Sequence, residues 1–159
     1  MIEPISAADE PAVLALNNEH AEELSWLDQD RLSHLIRQAY YARRVGSLDA
    51  FILAFDETAD YDSPNYLWFR ARYPRFVYVD RIAVARHARG RGLARLIYSD
   101  LFACARQAGH ELVTCEVNLD PPNPASDAFH LALGFGEAGQ GLLAGSGKTV
   151  RYFVRSLDA

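Results

Sequence analysis

From Phe76 to Val84 the chain alternates β-branched and aromatic residues, the pattern of a strand packed in a sheet. From Leu93 the period lengthens, and Leu93, Leu96, Ile97, Leu101 and Cys104 recur at helical spacing on one face. The same reading predicts a short strand at Ile2–Ile5 and a helix from Ala7 to about Leu24, with Pro11 in its first turns and Val13, Leu14 and Leu16 as apolar positions. Asp28 is placed to cap a second helix, whose stripe is Leu32, Leu35, Ile36, Ala39 and Tyr40. Gly46-Ser47-Leu48-Asp49 then turns a strand ending at Val45 into the strand 50–55, closing an antiparallel hairpin. Residues 56–75 follow as a long connection rich in Tyr61, Tyr66, Trp68, Phe69 and Tyr73. Those aromatics either pack the connection onto the core or form a lid over a site.

Beyond the central helix, Gly109 ends it and residues 111–117 supply another strand. A strand, a crossover helix and a strand of this length make a βαβ unit, so its two strands are parallel neighbours. Asn118 to Pro122 turns the chain. Asn123 then caps a helix with Pro124 at its first position and Gly134 just past its end. On it Ala125, Phe129, Ala132 and Leu133 face inward, with His130 beside them. Residues 135–143 and 149–155 close a hairpin around Gly145 to Lys148. The expectation is a single α/β domain over 1–159, built on a central mixed sheet flanked by helices.

Composition narrows the function classes. A chain of 159 residues, 50% hydrophobic, holds one core. No run approaches the length of a membrane span, and Met1 to Ile5 lacks the basic and apolar regions of a secretory signal. Cys104 and Cys115 both lie in apolar segments and read as reduced core thiols of a cytoplasmic protein rather than a disulfide or metal site. The net charge of -5 argues against non-specific nucleic-acid binding as the main task. Glu19, Glu22, Glu23, Asp28 and Asp30 cluster near one helix junction, either as a solvated face or as an acidic rim that attracts a cation.

Against that acidic total, the turn between the central strand and helix reverses sign. Gly90 and Gly92 are surrounded by Arg86, His87, Arg89, Arg91 and Arg95 at a helix start. There the first N–H groups are free, the helix dipole is positive, and glycine lets an anion approach the backbone. Two other phosphate motifs fail. Gly147-Lys148-Thr149 ends like a P-loop, but Leu142 stands where its first glycine belongs and an alternating strand follows in place of a helix. Gly90-x-Gly92 approaches the dinucleotide fingerprint, but Arg95 replaces the third glycine.

The run His87-Ala-Arg-Gly-Arg-Gly-Leu-Ala resembles the acyl-CoA-binding motif of the GNAT superfamily of N-acetyltransferases, Gln/Arg-x-x-Gly-x-Gly/Ala. Asn123-x-x-Ser126-x-x-Phe129-His130-x-x-x-Gly134-Phe135 is similar to that superfamily's second signature. His87 stands where Gln or Arg is usual, and His130 where many members carry a tyrosine that acts as general acid. The resemblance implies a mostly antiparallel sheet whose two parallel central strands splay apart to admit the pantetheine arm of acetyl-CoA. It implies that Ile82, Ala83 and Val84 pair with that arm, with the pyrophosphate on the amides of Arg89, Gly90, Arg91, Gly92, Leu93 and Ala94 beside His87 and Arg95. Asn118, Asn123, Ser126 and Phe129 would border the arm and thiol. The implied activity is acetyl transfer from acetyl-CoA to a primary amine, expected to be that of a small molecule, with no nucleic-acid or membrane partner and with a homodimer left open.

Attack of an amine on a thioester needs a neutral amine, hence a general base. Asp80 and Glu116, near the ends of the two parallel strands, are the candidate bases, and His130 is the candidate acid. Each also has a plain structural reading: Asp80 paired with Arg81, Glu116 as a solvated strand end, His130 as a satisfied helix-surface histidine. Two other function classes fit the cradle as well. A non-catalytic acyl-CoA-binding module would bind without turnover, and a nucleic-acid binder would show steep salt dependence.

Overall fold

The computed structural model describes residues 1–143 and 147–157. Among them, seven strands follow in chain order: β1 (Ile2–Pro4), β2 (Tyr41–Val45), β3 (Ala50–Asp56), β4 (Val77–Val84), β5 (Leu112–Asp120), β6 (Gly136–Leu143) and β7 (Lys148–Ser156). The helices are α1 (Glu10–Glu19), α2 (Ala21–Leu24), α3 (Gln29–Gln38), α4 (Pro64–Arg70), α5 (Leu93–Gln107) and α6 (Pro124–Ala132). One sheet holds all the strands in the order β1-β2-β3-β4-β5-β7-β6. Only β4 and β5 pair in parallel, as the βαβ reading requires; every other neighbour is antiparallel. The hairpin tip expected at Gly145 lies partly outside the described residues, as residues 144–146 are not among them.

Strand alternation divides the core in two. On one face Phe51, Leu53, Phe55 and Tyr78 pack against Val13, Leu32, Leu35, Tyr66 and Phe69 from α1, α3 and α4. On the other, Ile52, Ala54, Val77, Val79, Val113 and Cys115 pack against Ile97, Tyr98, Leu101, Phe102 and Ala105 from α5. The buried arc of α5 therefore runs 97, 98, 101, 102, 105. Leu96, expected on the inward stripe, is 48% exposed, because it lies one residue outside that arc.

The chain differs from its sequence pattern in four further places. The first long helix breaks at His20, whose backbone leaves the helical region and whose Nδ1 lies 3.0 Å from the Leu16 carbonyl oxygen. The second helix stops at Gln38, so Ala39 and Tyr40 lead into β2 instead of extending the stripe. On α6, Ala125 and Ala132 are exposed, and Ser126, Phe129, His130 and Leu133 turn inward. Asn118 belongs to β5, which continues to Asp120 opposite Thr149 before the chain turns.

The connection 56–75 contains α4, capped by Ser63, whose side chain accepts from the Tyr66 amide, and started by Pro64. Tyr66 and Phe69 are fully buried, and Trp68 stacks on Tyr152 with centroids 4.1 Å apart. Gly139 makes room for that indole, since a Cβ there would meet Trp68 at 2.8 Å. The segment is thus a fixed wall rather than a free lid. Phe69→Ala is expected to cost about 3–5 kcal/mol, as for large-to-small changes in a close-packed core. Urea unfolding followed by fluorescence checks this, and a loss below about 1 kcal/mol would mean α4 is not anchored.

Candidate active site

β4 and β5 are in register only at Val77 with Val113 and Tyr78 with Thr114. Beyond that point β4 runs on beside β3 to Val84, and β5 runs on beside β7 to Asp120, with no further pair between them. The cause lies in β4. Leu53 is opposite Arg81 and Ala54 is opposite Val79, so Asp80 is the extra residue of a β-bulge. A bulge bends its strand and steepens the local twist, which swings the end of β4 away from β5. The opening is part of a cleft of about 430 Å³. Val79, Asp80, Arg81 and Ile82 line it from β4, and Cys115, Glu116, Val117 and Asn118 from β5.

The notch connects the two faces of the sheet, and they differ chemically. The bulge aims Asp80 and Arg81 to the same side, where the Asp80 carboxylate accepts from Tyr61 Oη at 2.6 Å and from Arg81 Nε at 2.6 Å. Glu116 lies on this face too. Its carboxyl accepts from Tyr78 Oη at 2.8 and 2.9 Å and from Asn65 Nδ2 at 2.9 Å. Tyr152 Oη donates in turn to Asn65 Oδ1 at 3.0 Å, which fixes the orientation of that amide. Desolvation first, and the Asp80 charge second, push the Glu116 carboxyl up to about 8.

The opposite face carries α5 and α6. His130 is buried, with Nδ1 2.8 Å from the Ser126 carbonyl and Nε2 3.0 Å from Tyr98 Oη. A carbonyl only accepts, so Nδ1 bears the ring proton and Nε2 accepts from the Tyr98 hydroxyl. Burial lowers the His130 pKa and raises that of Tyr98, leaving a neutral imidazole and a protonated phenol. The proton at this junction therefore sits on Tyr98, a residue that its sequence pattern does not single out. Asn123 caps α6 by accepting from the Ser126 amide at 3.2 Å, which sets Asn123, Ser126 and His130 along one wall.

At the open end of the notch β4 passes through a single 3₁₀ turn, Arg86–Ala88, into Gly90, Gly92 and α5. Gly90 and Gly92 have φ of 81° and 72°, and a Cβ on either would meet nothing within 4 Å. Glycine is needed there for the backbone conformation, and the space in front stays open. Gly92 caps α5 with no side-chain hydrogen bond, so no side-chain cap covers the first-turn amides. The basic groups are partly tethered. His87 Nε2 is 3.0 Å and Arg91 Nη2 3.3 Å from the Asp49 carboxylate, and Arg89 Nη2 is 3.1 Å from His20 Nε2. His87 and then Arg91 hold the Asp49 carboxyl below the usual range. Asp49, read from the sequence only as a turn residue, organises half of the cradle.

A strand end, an open glycine turn and an uncapped helix start beside a splayed parallel pair fit a long, diphosphate-bearing ligand. The model of the Acetyltransferase (GNAT) family matches residues 13–135. The chain belongs to this family. Solved structures similar to this acetyltransferase-family chain share its fold. They include the ribosomal-protein-S18-alanine N-acetyltransferase from Escherichia coli, at 16% identity and a TM-score of 0.73, covering 100% of this chain and 94% of that one. Ard1 from Thermoplasma volcanium gives 15% identity and a TM-score of 0.79, covering 100% and 98%. Arabidopsis thaliana NAA60 in complex with acetyl-CoA gives 14% and 0.76, covering 100% and 99%. A comparison with curated protein sequences finds no match.

For this GNAT chain the sequence-derived residues separate into three groups. Asp80, Ile82, Glu116, Asn118, Asn123, Ser126 and His130 all line the cleft. Ala83, Val84 and Phe129 do not. Ala83 is buried on the α1/α3 side, Val84 packs against both clusters, and Phe129 packs with the α5 cluster. His87, Arg89, Gly90, Arg91, Gly92, Leu93, Ala94 and Arg95 form the cradle and the start of α5. Sequence reasoning missed Asn65, Tyr78 and Tyr98 as site residues and held Tyr61 only as one aromatic of the 56–75 connection; the three tyrosines are polar-tipped rings in or beside apolar runs.

Proposed function

We propose that this GNAT chain transfers the acetyl group of acetyl-CoA to the primary amine of a small molecule by direct attack within the notch. The two-faced notch carries this reading: a diphosphate cradle and Tyr98–His130 serve one side, and a hydrogen-bonded carboxyl pair serves the other. When bound, acetyl-CoA supplies a thioester whose carbonyl an amine can attack. The cradle amides and arginines suit the diphosphate. The edge of β4 from Ile82 to Val84, unpaired on its β5 side, offers backbone groups to an extended arm.

The acceptor approaches from the carboxylate face, where Glu116 takes the proton that the amine loses. A carboxyl raised to about 8 is ionised in part at neutral pH and matches an amine far better than an ordinary glutamate. On the other face the Tyr98 hydroxyl, whose hydrogen rests on His130 Nε2, would turn from the imidazole to donate to the departing sulfur. A thiol has a pKa of about 8.5, so a hydrogen bond there needs no strong acid behind it.

Enclosure favours a small acceptor. Tyr61, Ser63 and Asn65 wall the cleft on the carboxylate side. Lys148 at the start of β7 reaches across to the Glu22 carbonyl at 3.1 Å, bridging the far wall to α2. A panel of small amines, free amino acids and extended peptides, assayed with acetyl-CoA, tests the reading. Small amines are expected to give kcat/KM at least about 10-fold above extended peptides, a difference of about 1.4 kcal/mol in transition-state binding. Equal turnover on extended peptides would overturn the small-acceptor reading.

A further inference from the structure

Asp80 is built into the protein in a way that a freely exchanging base is not. Both carboxylate oxygens are occupied, Oδ1 by the Tyr61 hydroxyl and Oδ2 by Arg81 Nε. The ion pair is closed to solvent, with side-chain exposures of 5% for Asp80 and 6% for Arg81. Arg81 Nη1 continues to Asn17 Oδ1 at 3.0 Å, and Asn17, fully buried on α1, donates onward to the Ser25 carbonyl at 3.0 Å. A proton arriving on Asp80 would leave the Arg81 guanidinium buried and unneutralised, a costly state. Among the described residues, the side-chain hydrogen-bond partners of the Glu116 carboxyl are the neutral Tyr78 and Asn65, and Oε2 accepts from the Tyr78 hydroxyl, which leaves it a second lone pair.

We propose that Asp80 is a positioning residue, not the proton acceptor: pinned by Tyr61 and Arg81 in the β4 bulge, it acts through Glu116 by presenting a fixed negative charge on the same face of the notch. This rests on the reading of Glu116 as the group that takes the amine proton. The charge disfavours ionisation of its neighbour, which keeps Glu116 a stronger base than a lone cleft carboxylate. The surroundings of Glu116 leave Asp80 as its dominant charged neighbour. From β4 it faces Tyr78, Asp80 and Arg81; the guanidinium offsets part of the Asp80 charge, and the effect that remains at Glu116 is that of the carboxylate. From the wall before β4 and from β7 it faces the neutral groups Tyr61, Asn65 and Tyr152. Cys115 and Tyr98 are held protonated by burial. The other titratable groups of the cleft lining are His20, Glu23, His130 and Lys148.

Carboxyl carbon-13 NMR of the ligand-free protein, with the Glu116 signal assigned by its absence in Glu116→Gln, reads this tuning without any turnover. In the wild type the midpoint is expected near 8. In Asp80→Asn it should fall by about 1 unit, because a like charge has been removed. The double variant Asp80→Asn/Arg81→Gln leaves no unpaired buried charge and guards against misfolding of the single variant. Its midpoint should fall by less, in the same direction. Under turnover the rising limb of kcat/KM against pH should move down with the NMR midpoint, while the high-pH plateau falls less than about 10-fold, the behaviour of a residue that acts through another. A Glu116 midpoint that does not move in either variant overturns the proposal. So does a plateau loss of about 10²-fold or more in folded Asp80→Asn, since that is the loss expected of the base itself. If the wild type acetylates no amine, the Glu116 reading of function fails while the NMR result still decides the coupling.

Discussion

Glu116→Gln is expected to lower kcat/KM for an amine acceptor by about 10²-fold or more and, at the same time, to make the protein more stable above pH 8. The loss of rate is the usual size for removing a general base. The amide keeps the shape and still meets the Tyr78 hydroxyl, so acetyl-CoA affinity should stay nearly unchanged. The gain in stability follows from the direction of the shift. An unfolded glutamate releases its proton near 4.3, whereas folded Glu116 holds it to about 8. Between those values the folded state binds the extra proton, so stability falls as pH rises through that window. Above about 8 the folded protein carries a desolvated carboxylate beside Asp80. Glutamine removes that burden, an effect of about 2 kcal/mol once solvent in the cleft is allowed for. Urea unfolding at pH 5 and pH 9 measures it. A variant that is stabilised equally at both, or not at all, would show that Glu116 is an ordinary carboxylate.

Gly90→Asp is expected to abolish acetyl-CoA binding, with Kd rising at least about 10²-fold, or roughly 3 kcal/mol. The substitution places a carboxylate where the cradle amides would meet the diphosphate, and adds a side chain at a positive φ. Backbone strain alone is controlled by Gly147→Asp. Gly147 has a similar φ of 70° and equally open surroundings, but sits in the β6–β7 hairpin. That variant should bind acetyl-CoA as the wild type does, which also tests the rejection of the P-loop-like run. Isothermal titration of both proteins separates the outcomes. Loss of binding in both would mean that strain, not the cradle, explains the result.

Much of this arrangement was legible in the sequence because it is local. The change of period from β4 to α5, the glycines between them, and the Asn123 cap before Pro124 are each specified within a few residues. The parallel pairing of β4 and β5 follows from chirality and connection length. What the sequence hid depends on register and on distant partners. The pattern of Val77 to Val84 shows no sign of the bulge, because Asp80 and Arg81 are adjacent polar residues whose common face depends on how β3 pairs. α4 is short, and its aromatics suit a loop packed on the core as well as a helix. His130 looks like a flank of its helix until Ala125 and Ala132 prove to be the exposed side. The Asp49 tether joins two segments 38 residues apart. Tyr98 could have been found from one signal, its place next to Ile97 on the inward arc of the helix that follows the cradle.

The most direct measurement mixes the protein with acetyl-CoA and an amine panel, and follows free thiol and acetylated amine by mass spectrometry in the same time course. The account predicts that thiol and acetylated amine appear in equal amounts, that the protein carries no acetyl group at any stage, and that Glu116→Gln slows both products together. Tight acetyl-CoA binding without thiol release for any amine, or an acetyl group lodged on the protein during turnover, would contradict it.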